Sequence, residues 1–364
     1  MSMILSITTD RKPGGIATAL QSYSQALMLR GHQHCVLLPP GSPAIDRLSR
    51  LEGVTLVVMA AAMIRFHLAT RGLFSRRLRA AIAAADALFI HNSRLAGPVR
   101  SFRKPVILFS HSGKLRHIGA ADHLVVLSRA ARTRADAKCA ALPGTAPPQL
   151  HIIPHGFATA SAKSRPANPP SALKVMAAGR FVQKKGFEVL LAAAALLEAR
   201  NVPVQFDIFG EGPIGPVLAH QASQLNLKTV HLHGWQPDLA SKMDSFDLFC
   251  LPSNEEPFGL VIGETMGRGM PMVATMTDGP MDVLGHAGMA PKTTLAAGGL
   301  LVATSDAAAM ADAIAFFAQD RAALDAAGQA AHRRITRDFG MPVLADRLDR
   351  LIQAVRSPAE ASLS

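Results

Sequence analysis

Two glutamates separated by seven residues are the side chains of this sequence best suited to chemistry. Glu256 and Glu264 bound the segment Glu-Pro-Phe-Gly-Leu-Val-Ile-Gly-Glu, which follows an apolar run ending at Leu251. We predict a helix that opens near Pro257, because proline favours the first helical position. A carboxylate on such an apolar helix is costly to bury unless it is paired or hydrogen-bonded. A hydroxyl-rich ligand would supply partners; the alternative is a capping Glu256 and a solvent-facing Glu264.

Basic side chains follow a second apolar run. Gly179 and Arg180 come directly after the predicted strand Lys174–Ala177, and Lys185 and Gly186 follow five residues later. The planar guanidinium of arginine matches two phosphate oxygens, and lysine supplies a point charge. This arrangement predicts a phosphate site at the end of a strand; the alternative is a solvated loop with a chance basic pair.

A glycine pair precedes the first predicted helix. Gly14 and Gly15 lie between an apolar run and the segment Ile16–Arg30, whose apolar residues recur at helical spacing. Glycines let backbone N–H groups approach an anion closely, and a helix N-terminus favours negative charge. An ordinary strand-to-helix turn is the alternative interpretation.

Alternating strands and helices must position these residues. Because strand and helix alternate twice over, we predict two doubly wound α/β domains with mainly parallel sheets, and ligands in the cleft between them. The predicted strands of the first half are Ile4–Ile7, His34–Leu38, Thr55–Met59, Leu88–Ile90, Val106–Phe109, Leu124–Leu127 and His151–Ile153. Those of the second half are Lys174–Ala177, Gln205–Phe209, Val230–Leu232, Asp247–Leu251, Pro271–Ala274 and Gly299–Val302.

The length of 364 residues suits two domains. We predict a first domain over residues 1–158, a linker rich in Pro, Ser and Ala over 159–171 and a second domain over 172–342. A last helix over about 343–357 follows Pro342, where we expect a break or kink. We expect this helix to pack back on the first domain.

The composition excludes several classes of protein. Hydrophobic residues make up 49% of the chain and charged ones 18%, so it is not a disordered protein. The three cysteines lie far apart, which argues against a disulfide framework or a cysteine zinc site and suits a reducing cytoplasm. The longest uncharged apolar run, Val54–Ile64, is too short to span a bilayer, and the N-terminus lacks the plan of a secretory signal. We therefore expect a cytoplasmic chain with peripheral membrane contact.

The net charge of +12 is unevenly distributed. Residues up to 165 include 22 basic and 6 acidic residues, net +16, whereas the rest carries 16 and 20, net −4. Such asymmetry predicts an anionic partner for the first half. Five arginines interleaved with Phe and Leu suit an anionic membrane surface, although a solvated cationic face is the alternative. They are Arg65, Arg71, Arg76, Arg77 and Arg79.

The Glu256–Glu264 segment resembles the E-x7-E motif of the family 4 retaining glycosyltransferases, which have the GT-B fold. The sequence departs from that pattern at His155, where Asn is usual, at Asp282, where many members have Glu, and at Asp278-Gly279-Pro280, where a glycine pair is common. Further matching segments occur in the family's order. These are Gly14-Gly15, Phe109-Ser110-His111, Ile153-Pro154-His155-Gly156, Gly179-Arg180 with Lys185-Gly186, Phe209-Gly210-Glu211-Gly212-Pro213, Gly234-Trp235 and Val273-Ala274-Thr275 with Gly279.

The resemblance implies a role for each matching residue. Arg180 and Lys185 would hold the diphosphate of a UDP-sugar or GDP-sugar, assisted by the Gly14-Gly15 backbone, with Gly234 on the base side. Glu264 would accept hydrogen bonds from the ribose hydroxyls. The transferred sugar would be held by Glu256, by His111 from the other domain, and by the backbone N–H groups of Phe258, Gly259 and Leu260.

The resemblance also implies the reaction. The family retains anomeric configuration, by same-face attack in which the leaving phosphate takes the acceptor's proton, so Glu256 would stabilise without forming a covalent bond. No Asp-x-Asp occurs in the sequence, which predicts a metal-independent enzyme without a cofactor. The acceptor would be a glycolipid, a lipopolysaccharide or a lipid-linked saccharide, bound by the first domain at the inner face of the cytoplasmic membrane.

Other functions stay open at this point. A sugar-nucleotide epimerase or an inverting transferase of the same architecture would use similar residues, and a non-catalytic sugar-nucleotide sensor would keep fewer of them. A nucleic-acid-binding protein would explain the basic half. The sequence has only one Trp and one Tyr, however, shows no zinc-finger or RNP pattern, and is acidic in its second half.

Overall fold

The chain forms two α/β units in a computed structural model. The structure describes residues 1–11, 14–71, 75–111, 115–142, 146–159, 172–236, 238–285 and 293–356. The first unit comprises Met1–Gly156 with Phe339–Ser364, and the second comprises Phe157–Asp338. Apart from Thr159, the predicted linker over 159–171 lies outside the described residues, and so does residue 357 of the predicted last helix.

The first unit is built on a seven-stranded sheet in which every neighbouring pair is parallel. Its strands are β1 (Met3–Ile7), β2 (Gln33–Leu38), β3 (Val54–Val58), β4 (Ala87–Ile90), β5 (Val106–Phe109), β6 (His123–Val126) and β7 (Gln149–Ile152). They follow the order β3-β2-β1-β4-β5-β6-β7. The central strands β1, β4 and β5 are apolar except for Ser6 in β1, because helices cover both faces of the sheet.

Helices complete the first unit. They are α1 (Gly15–Leu29), α2 (Ala44–Leu48), α3 (Ala61–Ala69), α4 (Arg76–Ala84), α5 (Ala96–Val99), α6 (Arg129–Ala140) and, from the end of the chain, α14 (Met341–Arg356). On one face of the sheet Leu5 and Leu88 pack among the core residues of α3 and α4. On the other, Ile4 and Phe89 pack among those of α1 and α14.

Helix α14 belongs to the first unit because its apolar stripe packs on that second face. Leu344, Leu348 and Ile352 recur at helical spacing and are fully or almost fully buried. At its edge, Nε2 of His32 lies 2.9 Å from Oδ1 of Asp349. The helix begins at Met341, so the predicted start at 343 is two residues late. The second helical position tolerates Pro342, since N–H groups of the first turn have no intrahelical partner.

The second unit repeats the plan. Its strands are β8 (Leu173–Ala178), β9 (Val204–Phe209), β10 (Val230–His233), β11 (Leu248–Leu251), β12 (Met272–Thr275), β13 (Thr293–Ala296) and β14 (Gly299–Val302), in the order β10-β9-β8-β11-β12-β14-β13. Only β13, which pairs with β14, is antiparallel among these described strands. The helices are α7 (Phe187–Ala199), α8 (Gly215–Gln224), α9 (Leu239–Met243), α10 (Leu260–Met266), α11 (Asp278–Leu284), α12 (Ala307–Gln319) and α13 (Arg321–Phe339).

Two predictions about the second unit are wrong. The helix expected near Pro257 begins three residues later, at Leu260, because Gly259 has φ +80°, outside the helical region. Glu264 therefore lies about one turn inside α10 instead of two. Strand β13 was not predicted. All thirteen predicted strands overlap observed ones, and the two doubly wound sheets are confirmed.

The helices of the described residues are too short or too polar to cross a bilayer.

Candidate functional site

A lysine and a glutamate from separate loops meet at the carboxyl edge of the second unit's sheet. Lys185 ends a 3-10 turn (Gln183–Lys185) between β8 and α7, and Glu256 follows β11, the neighbour of β8. Nζ of Lys185 donates a hydrogen bond to Oε2 of Glu256. The Lys185 side chain is 21% exposed and that of Glu256 only 8%. Because each charge is largely withdrawn from water, each needs the other as a partner.

Backbone hydrogen bonds hold the two loops together. The N–H groups of Asn254 and Glu255 donate to the carbonyl of Lys184, at 2.8 and 3.2 Å. Gly186 has φ +62°, and a Cβ atom there would lie 2.1 Å from the carbonyl oxygen of Pro252. Only glycine allows this approach. The Lys185–Glu256 pair is thus fixed by main-chain geometry as well as by its own charges.

The loop from Glu256 to α10 is fixed in the same way. Gly259 caps α10 in the left-handed region, where a Cβ atom would lie 2.7 Å from Cδ1 of Ile262 and 3.1 Å from Cγ of Glu256. The carbonyl of Glu256 accepts a hydrogen bond of 2.9 Å from the N–H of Gly279. Phe258 is buried and stacks on Phe157 at 6.1 Å between ring centroids. Its backbone and those of Gly259 and Leu260 run into the first turn of α10, whose N–H groups lack intrahelical acceptors.

The other predicted donor residues lie at the same edge of this sheet. Arg180 is exposed directly after β8. Gly234 follows β10, and the N–H of the next residue, Trp235, donates to Oε1 of Glu211 at 3.2 Å. Glu264 is half-buried on α10. Because β10, β9, β8 and β11 are consecutive in the sheet, their carboxyl ends bring Arg180, Lys185, Glu256 and Gly234 to one edge.

The glycine pair of the first unit marks the start of α1. Gly15 is the first helical residue and Gly14 its N-cap. A Cβ atom at Gly14 would have no heavy atom within 4 Å, so packing does not require glycine at this position. Lys12 and Pro13, which precede the pair, lie outside the described residues.

His111 follows β5 and belongs to a chain of buried hydrogen bonds. Its Nε2 lies 2.9 Å from Nδ1 of His91, whose Nε2 lies 3.2 Å from Oγ of Ser6. The same Oγ lies 2.8 Å from Nε2 of His34. Nδ1 of His34 lies 2.8 Å from Oγ of Ser24. We call these five residues the histidine relay.

The hydrogen bonds of Ser24, at the end of the histidine relay opposite His111, determine which nitrogen or oxygen atom carries each proton. Oγ of Ser24 donates to the carbonyl of Leu20 at 2.8 Å, so it must accept from Nδ1–H of His34. A neutral His34 then accepts at Nε2 from the hydroxyl of Ser6, and that hydroxyl oxygen accepts from Nε2–H of His91.

The assignment ends at His111. A neutral His91 accepts at Nδ1 from Nε2–H of His111, and a neutral His111 is left with an unprotonated Nδ1. That atom is buried and has no hydrogen-bond partner among the described residues. His111 therefore offers a fixed hydrogen-bond acceptor.

Burial keeps these rings neutral. It lowers the pKa of His111 to about 4 and that of His34 to about 3. The pKa of His91 lies well below its ordinary value, first because of burial and then because of the neighbouring His111, His34 and His155. Burial is also the main cause that lowers the pKa of His155 to about 3. At neutral pH the histidine relay is uncharged.

His155, which follows β7, lies beside the histidine relay. Its ring is parallel to that of His111, with centroids 5.8 Å apart, and its Nδ1 lies 3.3 Å from Oη of Tyr23. Sequence reasoning did not single out His91, His34, Ser6, Ser24 or Tyr23. One usable signal was that His91 follows β4 as His111 follows the neighbouring strand β5.

The predicted membrane-binding arginines are exposed. Of the apolar residues among them, some are buried in the core and others are exposed. Arg76, Arg77 and Arg79 project from α4, whose Leu78 is buried in the core. Phe66 on α3 is 49% exposed. Arg65 and Arg71 are also exposed. Gly72, Leu73 and Phe74, part of the same predicted segment, lie outside the described residues.

The described parts of the chain contain no group of three or more His, Cys, Asp or Glu side chains that could hold a metal ion.

Comparison with known proteins identifies the second unit. Residues 161–334 match the family described as glycosyl transferases group 1. The chain is 29% identical over 185 residues to the lipopolysaccharide core biosynthesis glycosyltransferase LpsE of Rhizobium meliloti, covering 50% of this chain and 51% of LpsE. It is 28% identical over 202 residues to the putative colanic acid biosynthesis glycosyltransferase WcaL of Escherichia coli K12, covering 52% and 48%. The chain thus spans about half the length of these curated relatives.

Solved structures extend the likeness in fold to nearly the whole chain. HepE of Anabaena, solved in complex with UDP and glucose, superposes with a TM-score of 0.75 at 18% identity, covering 97% of this chain and 100% of HepE. The chain therefore has the predicted GT-B fold, and its second unit matches the glycosyl transferases group 1 family. This match agrees with the predicted enzyme class, a glycosyltransferase. Membership of family 4, the retaining mechanism and the roles of individual residues stay predictions.

Proposed function

From a glycosyltransferase group 1 domain on a GT-B fold, we propose that this chain is a retaining glycosyltransferase. It moves a sugar from a nucleoside diphosphate sugar to a glycan or lipid-linked acceptor at the inner face of the cytoplasmic membrane. The observation that carries the proposal is the Lys185–Glu256 pair, fixed at the carboxyl edge of a parallel sheet inside the matched domain.

The pair suits a donor that is anionic at one end and rich in hydroxyls at the other. An ammonium has three N–H donors, and Glu256 uses one from Lys185, which leaves two for phosphate oxygens. The exposed guanidinium of Arg180 adds a planar fork at the same edge. These cations offset the negative charge that develops on the departing nucleoside diphosphate.

Carboxylates and backbone groups hold the sugar and the ribose. Glu256 accepts hydrogen bonds from the transferred sugar, with the N–H groups of Phe258, Gly259 and Leu260 beside it. Glu264, one turn into α10, accepts from the ribose, and Gly234 borders the base.

The reaction retains configuration by same-face attack. Glu256 is committed to an ion pair with Lys185, which favours an electrostatic and positioning role over attack on the anomeric carbon. The leaving phosphate then takes the proton of the acceptor hydroxyl. Cations supply the charge stabilisation, so we propose that neither a divalent metal nor another cofactor is needed.

The acceptor is proposed from the relatives and from charge. LpsE and WcaL carry names of lipopolysaccharide core and colanic acid biosynthesis, which supports a glycan acceptor near the membrane. The exposed arginines of α3 and α4 support contact with anionic headgroups.

The proposal is tested first on the donor. UDP, GDP, ADP and their sugars are screened by thermal shift, because a ligand that binds only the folded state stabilises it by about 2.7 kcal/mol at a hundredfold excess over its Kd. We expect one base to be preferred. Glu264→Ala should lose nucleotide affinity, whereas Glu256→Gln and Lys185→Ala should lose mainly turnover. Wild-type turnover in all three variants would refute the site.

The product then tests the reaction class. With the preferred donor and a lipid-linked acceptor, NMR of the new linkage should show the anomeric configuration of the donor, and EDTA should leave the rate unchanged. An inverted product would indicate an inverting transferase. Conversion of the donor sugar without an acceptor would indicate an epimerase. A glycosyl adduct trapped on Glu256 would refute same-face attack.

A further inference from the structure

A cavity of about 380 Å³ in the first unit is lined by three arginines and no carboxylate. Arg65 comes from α3, Arg94 from the 3-10 turn Ser93–Leu95 after β4, and Arg116 from the segment that follows β5. His111 and Ser110 also line the cavity, at the carboxyl end of β5.

The three guanidiniums are available to a ligand. All three residues are exposed, and none of the three guanidiniums forms an ion pair or hydrogen bond with another residue of the described ranges. Three like charges around one concavity raise the local positive potential. Each presents a planar set of donors matched to a phosphate or carboxylate. The cavity therefore favours an anionic group.

Two residues that line the same cavity each have a buried polar atom without a hydrogen-bond partner among the described residues. These atoms are Oγ of Ser110 and Nδ1 of His111. A buried polar atom left unsatisfied is costly, so such an atom at a cavity wall points to a ligand that satisfies it. The histidine relay makes Nδ1 of His111 an acceptor, which selects an O–H donor over another acceptor.

We propose that this cavity binds an anionic sugar as the acceptor, with its phosphate or carboxylate held by Arg65, Arg94 and Arg116 and its hydroxyls bonded to Ser110 and His111. The inference rests on the proposed transferase function and narrows its acceptor to a saccharide unit that carries an anionic group beside free hydroxyls.

Three hexoses with the same ring test the proposal. Glucose, glucose 6-phosphate and glucuronic acid are titrated into the full chain by isothermal titration calorimetry. We expect at least one anionic hexose to bind roughly tenfold or more tightly than glucose, since hydrogen bonds between charged partners are the strong ones. Tighter binding of glucose 6-phosphate would indicate a phosphate ligand, and tighter binding of glucuronic acid would indicate a carboxylate. Arg94→Gln should weaken that binding roughly tenfold, as should Arg65→Gln and Arg116→Gln.

Arg103→Gln is the matched control. Arg103 is exposed on the same unit but does not line the cavity, so its loss should leave the affinity within about twofold. Equal affinity for all three hexoses, or equal weakening by Arg103→Gln, would overturn the proposal. Nucleotide binding is measured on the same samples. If UDP or GDP binds and neither anionic hexose does, the acceptor site is refuted alone. If an anionic hexose binds and no nucleotide does, the cavity stands and the transferase function fails.

Discussion

Nδ1 of His91 and Nε2 of His111 lie 2.9 Å apart at the ends of two neighbouring parallel strands. In a hydrogen bond between two histidine rings, one nitrogen donates and the other accepts. The relay back to Ser24 makes Nε2–H of His111 the donor and Nδ1 of His91 the acceptor. The direction of this one bond determines what His111 offers to a ligand. It converts an ordinary strand-end histidine into an acceptor of fixed orientation.

The relay predicts the tautomer of each ring. Nitrogen-15 NMR at pH 7 should show His34 protonated at Nδ1, and His91 and His111 protonated at Nε2. The reason is that Ser24 donates to the Leu20 carbonyl and leaves no other consistent arrangement. Ser24→Ala should broaden or shift the His111 signals although it lies four hydrogen bonds away. Exposed Ser49→Ala is the control and should leave them in place. His111 protonated at Nδ1 would contradict the assignment.

Buried neutral histidines predict an acid-sensitive fold. The pKa values of His34 and His155 are about 3 in the folded state, against an ordinary value of 6.5. Between those limits the unfolded chain binds more protons than the folded one, so the free energy of unfolding falls as pH falls below about 6.5 and continues to fall towards pH 3. Above pH 6.5 this contribution is fully present.

Urea denaturation from pH 7.5 to 4.5 measures this slope. His34→Gln should lower stability at pH 7.5 and make the remaining stability less dependent on pH. His231→Gln, at an exposed position of β10, is the control and should leave the slope unchanged. A wild-type stability that is flat across this range would show that the rings are not kept neutral by burial.

The close approach of Gly186 to Pro252 predicts that even alanine is not tolerated there. A left-handed backbone costs a residue with a Cβ roughly 1–2 kcal/mol, and the Cβ would also overlap the Pro252 carbonyl. Gly186→Ala should lower the free energy of unfolding by about 2 kcal/mol or more and weaken nucleotide binding, as the Lys185 loop is displaced. Thermal unfolding and titration with the preferred nucleotide measure both. Gly97→Ala, at a helical position with no atom within 4 Å, should change neither.

The alternation of strands and helices was sufficient to predict both sheets, because strands covered on both faces form nearly continuous apolar runs. Two features of the second unit were not predicted from this alternation, each for a local reason. Strand β13 is a short antiparallel edge strand, outside the β-helix-β rhythm. The start of α10 depends on the backbone angle of Gly259, which no side-chain pattern reports.

The residues of the candidate site could be predicted from the sequence. The ion pair between Lys185 and Glu256 could not. Glu256 and Lys185 were each expected to hold a different part of the donor, and their ion pair arises because two loops 71 residues apart are hydrogen-bonded through Lys184. The histidine relay was missed because Ser6, Ser24 and His34 look like ordinary core residues. These residues matter because they form one chain of hydrogen-bond donors and acceptors, and only the three-dimensional contacts show that chain.

The Lys185–Glu256 pair predicts a measurable coupling in stability. Lys185→Met leaves a carboxylate that is only 8% exposed without its cation, and Glu256→Gln leaves a lysine without its anion. Each single change should therefore cost more than half of what the double change costs. We expect a coupling energy of roughly 1–3 kcal/mol in a double-mutant cycle by urea denaturation. Additive costs would mean that the two charges do not stabilise each other in solution.

The exposed arginines of α4 predict binding to anionic membranes. Each basic residue near such a surface contributes about 1 kcal/mol, so the triple change Arg76→Gln, Arg77→Gln and Arg79→Gln should weaken binding by roughly two orders of magnitude. Flotation with vesicles of phosphatidylcholine alone and with added phosphatidylglycerol measures it, and only the anionic vesicles should carry the wild-type chain. A triple change at Arg50, Arg103 and Arg333 removes the same charge from other exposed positions and should retain most of the binding. Because Leu78 is buried in the core, attachment through α4 should be electrostatic and reversed by 0.5 M salt. Binding that is equal on neutral vesicles, or that survives the α4 changes, would show that these arginines face solvent alone.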